Sequence, residues 1–267
     1  MVAFLAGLSP VLQGLCGTVF TWLMTAAGAL PVFFTKTLNR KTMNLTLGLA
    51  AGVMIAASFW SLLGPAIEMS GGSWVPATVG FVLGALVLRG IDYVLPHLHS
   101  SFGVSGEAEG LSTSWRRSVL LVLAVTLHNL PEGLSVGVAF GAAAQGLHGV
   151  TMGHAIALAL GIGLQNLPEG LAVAMPLRSE NLSRLKSFWY GQLSGMVEPL
   201  GGVLGAWLVT SIRSVMPYAL AFAAGAMIFV VVEDLLPEGQ RDGDPHLVTT
   251  GVILGFALMM VLDVVFA

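Results

Sequence analysis

Charge is what this chain has least of. Its 11 Lys and Arg and 14 Asp and Glu make up only 9% of 267 residues, against about 25% in a soluble domain. Hydrophobic residues account for 55%, and the mean hydropathy is +0.86. That balance excludes a soluble enzyme and a basic nucleic-acid-binding surface. Cysteine is also nearly missing. Cys16 alone excludes an intrachain disulfide and a thiolate metal cluster, and it reads as a small packing residue in the first helix. The start of the chain has no basic segment and no clear cleavage pattern. Its apolar run is therefore expected to be a retained helix and not a signal peptide. The net charge of −3 says little, because most acids lie inside apolar runs. Glycine is plentiful, at 34 residues, which suits helices that pack closely through small residues in a bilayer.

Eight apolar runs are long enough to span, given a need for about 20 apolar residues. They cover 8–34, 43–68, 74–95, 117–141, 151–177, 187–211, 216–236 and 246–266. The expected fold is an all-α integral membrane protein of eight transmembrane helices. The chain reads as one domain over 1–267, with a flexible cytoplasmic loop at 100–114 that is rich in Ser and Gly. Ten of the eleven basic residues fall at the odd-numbered connections or beside them. These are Lys36, Arg40, Lys41, Arg89, Arg116, Arg117, Arg178, Arg184, Lys186 and Arg241. Arg213 is on the other side. Basic loops stay in the cytoplasm, so both termini are expected outside it.

Against this apolar background one phrase occurs twice, HNLPEG at 128–133 and QNLPEG at 165–170. Each copy puts an acid, Glu132 or Glu169, and a proline, Pro131 or Pro168, deep in a span. A charge at the bilayer centre costs at least about 2.5–3.5 kcal/mol, so its repetition in one six-residue frame points to a ligand. His128 and Glu132, four apart, lie about 40° apart around a helix, and Asn129 lies about 60° away on the other side. The second copy repeats that face with Gln165, Asn166 and Glu169. Imidazole with carboxylate suits a divalent transition metal such as zinc, iron or manganese. Each proline should remove a helix hydrogen bond and bend the span.

The fourth span runs inward to outward and the fifth the reverse, yet both motifs land near mid-membrane. Glu198, followed by Pro199 in the sixth span, adds a third acid at that depth. Three interrupted helices with acids at one level make a midplane site of the kind transporters use.

These residues resemble the ZIP (Zrt/Irt-like) family of divalent metal transporters, in its GufA-type bacterial branch. The resemblance covers nearly the whole chain. It implies a central metal site between the fourth, fifth and sixth helices, often binuclear. His128, Glu132, Gln165 and Glu169 would ligate the first metal, and Asn129, Glu132, Asn166, Glu169 and Glu198 the second. Met54 matches a position where this branch places a thioether near the first metal. Imported divalent metal is the implied substrate, zinc first, with iron, manganese and cadmium also considered. The implied setting is the bacterial inner membrane, multi-pass, as a homodimer in the lipid bilayer. Helices 1, 4, 5 and 6 would move as a unit against helices 2, 3, 7 and 8. No prosthetic group, no enzymatic activity and no nucleic-acid partner is expected. The departures are Gln165, where many members have His, and Asn166, where some have Asp.

Other readings stand beside these. An intramembrane metal-dependent hydrolase would use similar ligands, but the chain has no HExxH pair and no spare base. A metal-holding sensor is the other rival. Asn129 and Asn166 also suit interhelical hydrogen bonds, and Met54 also suits gap-filling. Arg89 and Asp92 read as a snorkelling pair. Glu233, Asp234 and Glu238 are either an exit station or interfacial acids. His148 and His154 flank the outer start of the fifth helix, where receiving metal is the less favoured of their readings. Asp263 shows no partner near it in sequence. His97 and His99 read as a solvated loop pair.

Overall fold

The computed structural model describes residues 5, 7–36, 39–94, 117–146, 150–179, 181–241 and 244–266. The expected loop at 100–114 lies outside the described residues, as do His97, His99, Arg116 and His148. Each of the eight expected runs falls on a helix. They are α1 (Pro10–Phe33), α2 (Arg40–Met69), α3 (Trp74–Val94), α4 (Arg117–Ala144), α5 (Met152–Ser179), α6 (Arg184–Ser211), α7 (Met216–Gln240) and α8 (Pro245–Phe266). All but α4 belong to a set of seven helices that are long and apolar enough to cross a membrane, a statement that covers the described residues. The described residues contain no strand.

The helix starts follow from their caps. The side chains of Ser9, Asn39 and Ser183 each accept from a backbone N–H in the first turn that follows. Asp244 does the same for His246. Pro10 and Pro245 stand at first helical positions, where their missing N–H has no intrahelical partner to lose.

Two groupings emerge from the packing. α2 lies along α8 and α3 along α7, while α4 lies along α6 and α1 along α5, with further contacts among α1, α4, α5 and α6. α5 is the most buried helix and also touches α2 and α8; α3 and α8 are the least buried. Glycines allow the closest crossings. Gly133, the last residue of the first motif, lies against the backbone of Glu198, and Gly170, the last of the second, against the carbonyl of Thr25. A Cβ at either place would overlap that backbone. The motif glycine is therefore where α6 passes α4 and where α1 passes α5.

The expected interruptions occur in part. Pro131 and Pro168 sit inside continuous helices. One lost hydrogen bond does not end a helix whose next turn is clasped by a neighbour, as α6 clasps Gly133 and α1 clasps Gly170. Only α6 is broken, by a turn at Met196 and Val197 that separates Arg184–Gly195 from Glu198–Ser211. Two further irregularities lie just ahead of prolines outside the motifs, Pro65 and Pro237. α2 is π-helical over Ser58–Leu63 and α7 over Val231–Leu235. Such widened turns redirect side chains and are frequent at functional sites.

Candidate metal-transport site

Asn129, Glu132, Gln165, Asn166, Glu169 and Glu198 are all buried, between 0% and 5% exposed. Gln165 Nε2 donates to Glu132 Oε1 at 2.7 Å, joining α5 to α4. Asn166 Nδ2 donates to both carboxylate oxygens of Glu198, at 2.9 and 3.0 Å, and to the Thr21 carbonyl at 3.0 Å. Thr25 Oγ1 donates to Glu198 Oε1 at 3.3 Å. The two motifs and the third acid thus meet in one polar seam through α1, α4, α5 and α6. Interhelical hydrogen bonding by Asn166, one of its two readings from sequence, is part of that seam.

The seam leaves polar atoms unpartnered, one donor among them: Asn129 Nδ2 is buried and finds no acceptor. Asn129 Oδ1, Glu132 Oε2, Gln165 Oε1, Asn166 Oδ1 and Glu169 Oε2 are buried and find no hydrogen-bond partner in the protein. Buried acceptors are nearly always satisfied. The five oxygens outnumber the one unpartnered donor, and with three acids on the seam they suit a cation better than a further neutral donor. Oxygen sets of this kind with an imidazole nearby suit divalent ions.

His128 is held from a third helix. Its Nε2 lies 2.9 Å from Asp234 Oδ2 of α7. Asp234, read from sequence as an exit or interfacial acid, is turned to the motif by the π-helical stretch of α7 that contains it. A ring held by a carboxylate at one nitrogen has the other oriented for a metal. Met54 is fully buried. Its neighbour Val53 packs beside Gly161, one turn before Gln165, so α2 reaches α5 just below the motif.

Further residues depart from the sequence reading or add to it. Among the described residues, no three His, Cys, Asp or Glu side chains form a group that would hold an ion by themselves. Amides stand where such a group would have its other members, Gln165 and Asn166 foremost. Asp263 does have a partner, because Ser61 Oγ, in the π-helical stretch of α2, donates to its Oδ1 at 2.9 Å. A span-to-span pair of this kind is invisible in local sequence. His154 Nδ1 lies 2.9 Å from Thr151 Oγ1, and Thr151 Oγ1 accepts from the His154 backbone N–H; both belong to the start of α5. Thr21 and Thr25 were missed altogether. Their signal was present, since Thr18, Thr21 and Thr25 follow helical spacing with Gly14 and Gly28 along the buried side of α1.

Residues 103–263 match the family model described as ZIP zinc transporter. The chain belongs to the ZIP zinc transporter family. It is 43% identical over 338 aligned residues to zinc transporter ZIP11 of Bos taurus, covering 97% of this chain and 99% of that protein. It is 38% identical to zinc transporter GufA of Myxococcus xanthus, covering 94% and 97%. It is 37% identical to zinc transporter ZupT of Akkermansia muciniphila, covering 91% and 94%. The doubled motif of this ZIP chain lies within the matched region, on the two central helices.

Proposed function

We propose that this chain carries divalent transition-metal ions, zinc first, into the cytoplasm through one midplane site by alternating access. The observation that carries the reading is the set of five buried, unpartnered oxygens on Asn129, Glu132, Gln165, Asn166 and Glu169. The ion takes oxygens from Glu132, Glu169 and Gln165 and the free ring nitrogen of His128. Asn129, Asn166 and Glu198 line the adjoining wall, and Met54 approaches from α2. α4 crosses the membrane with the other seven helices. The ten-to-one placement of basic residues supports both termini outside the cytoplasm. It would sit in a cell membrane, the bacterial inner membrane, as a homodimer. Movement of α1, α4, α5 and α6 against α2, α3, α7 and α8 would open the site to each side in turn. A hydrolase would need a base besides the ligands, and no observation supplies one.

The test is zinc uptake into proteoliposomes of purified protein, followed with a trapped fluorescent chelator. Uptake that saturates with zinc and exceeds that of empty vesicles is expected. Tight zinc binding with no flux would sink the transport reading and leave a binding protein.

A further inference from the structure

The three acids of the site are not held alike. Glu132 and Glu169 each keep one carboxylate oxygen with no partner. Both oxygens of Glu198 are engaged, by a single amide group of Asn166 on α5 and by the hydroxyl of Thr25 on α1. The surrounding backbone is shaped to this clamp. A Cβ on Gly195 would lie 2.8 Å from Thr25 Oγ1 and 3.0 Å from Glu198 Oε1, so any side chain there would crowd both. The break of α6 immediately before Glu198 turns the acid toward α1 and α5. Asn166 is fixed at its nitrogen a second time, by donation to the Thr21 carbonyl.

We propose that Thr25 and Asn166 fill the place beside Glu198 with hydrogen-bond donors, so that this chain holds one divalent ion in the site and keeps Glu198 as a fixed counter-charge. The inference rests on the transport-site reading above and deepens it. An ion seeking Glu198 must displace two donors that neutral side chains supply at no cost in charge. An ion among Glu132, Glu169 and Gln165 meets oxygens that already lack partners. An acid at residue 166 would reverse the arrangement. It has no N–H to give Glu198 and brings a second charge that only a cation can balance. Thr25 is a positioning residue, acting on the ion through Glu198, and it touches no ion itself.

The experiment counts ions. Purified protein in detergent is equilibrated with zinc, and bound zinc per chain is measured by elemental analysis and by calorimetry. One tightly bound ion is expected for the parent and two for Asn166→Asp. Two ions on the parent, or one on Asn166→Asp, would overturn the proposal. The parent count alone decides if Asn166→Asp does not fold. Thr25→Val, which keeps shape and loses the donor, leaves Glu198 held by Asn166 alone and loosens its Oε1 for the ion. Manganese affinity should then rise on the order of fivefold, and zinc affinity by less, because an added oxygen donor favours the harder ion. Thr25→Ser restores the hydroxyl and should restore the parent ratio. Weaker binding in Thr25→Val would mean that Glu198 is already a ligand and would overturn the proposal. A lower yield of Thr25→Val with an unmoved ratio would show a role in packing alone and would overturn it too. Glu169→Ala, run alongside, separates the two readings. If it binds zinc as the parent does, the site itself is misplaced, whatever the counts.

Discussion

The four helices that carry the site and the four that flank them share close glycine crossings, but the first group adds a denser set of side-chain hydrogen bonds. α1, α4, α5 and α6 are tied by side-chain hydrogen bonds. Gln165 reaches Glu132, Asn166 and Thr25 reach Glu198, and Trp22 Nε1 reaches Gln192. α2 with α8 and α3 with α7 are joined mainly by glycine against backbone. Gly52 meets Val252, Gly255 meets Leu49, Gly84 meets Phe222 and Gly225 meets Phe81. In lipid, where burial of apolar surface drives little association, both devices work: close backbone approach and interhelical hydrogen bonds. They differ in what they leave behind. The hydrogen-bonded group has spare acceptors in its middle, while the glycine-packed pairs have none that the function needs. His128 with Asp234 is a polar contact from one group to the other.

The largest effect should come from breaking the first group at its centre. Glu169→Ala should abolish zinc uptake in proteoliposomes while the protein still expresses and elutes as the parent does. Glu169→Gln keeps the volume, removes the charge and should be nearly as damaging. Removing an acid that has an unpartnered buried oxygen takes away a desolvation cost, so thermal stability in detergent should hold or rise. Normal uptake kinetics in Glu169→Ala would remove the basis of the central site.

The flanking pairs should show the reverse. Gly84→Ala sets a Cβ on the Phe222 carbonyl, and overpacking of this kind costs about 1–3 kcal/mol. Its unfolding temperature should drop clearly, with zinc affinity unchanged in the fraction that stays folded. Gly90, also on α3, has nothing within 4 Å of an added Cβ. Gly90→Ala should stabilise by up to about 1 kcal/mol through helix propensity. Equal unfolding temperatures for the two variants would show that close approach does not hold α3 to α7.

The contact between the groups comes next in size. Asp234→Asn keeps the shape but weakens the hold on His128. Loss of a carboxylate that orients a metal-binding imidazole costs about 10–100-fold in affinity. Half-saturation for zinc should therefore rise by about tenfold, with little change in unfolding temperature. No change in half-saturation would mean that Asp234 does not support the ring in transport.

What could be read from sequence divides along the same line. The helices, their order and the doubled motif were legible, because long apolar runs and midspan acids are local signals. So was the meeting of the two motifs with Glu198, since it follows from counting residues along antiparallel spans. The π-helical stretches were not read from sequence, although each ends two residues before a proline, Pro65 or Pro237; their effect is to turn Ser61 toward Asp263 and Asp234 toward His128. The two motif prolines, Pro131 and Pro168, drew attention to the wrong places, since packing at Gly133 and Gly170 carries α4 and α5 through them. Thr25 was hidden for a different reason. A threonine in an apolar helix ordinarily bonds its own backbone, as Thr18 does to the Gly14 carbonyl; Thr25 also lies within reach of the Thr21 carbonyl, and only the arrival of Glu198 from α6 gives it a second acceptor.

The smallest effect concerns Gln165, which ties α5 to α4 through its nitrogen and has its oxygen unpartnered. An amide oxygen is a weak ligand for zinc, and imidazole suits zinc better than it suits manganese. Gln165 stands four residues before Glu169, as His128 stands four before Glu132, so an imidazole at 165 reaches the same ion. One ring nitrogen would take the ion and the other, as N–H, would keep the contact with Glu132. Gln165→His should therefore tighten zinc binding severalfold more than manganese binding. Tighter holding slows release, so maximal zinc flux should fall while half-saturation moves to lower zinc. Both ions need to be compared at one fixed pH, because imidazole must lose its proton to bind. Binding in detergent and uptake in vesicles supply the two readouts. A zinc-to-manganese affinity ratio that stays level or drops would remove Gln165 from the ligand set and leave the ion with His128, Glu132 and Glu169.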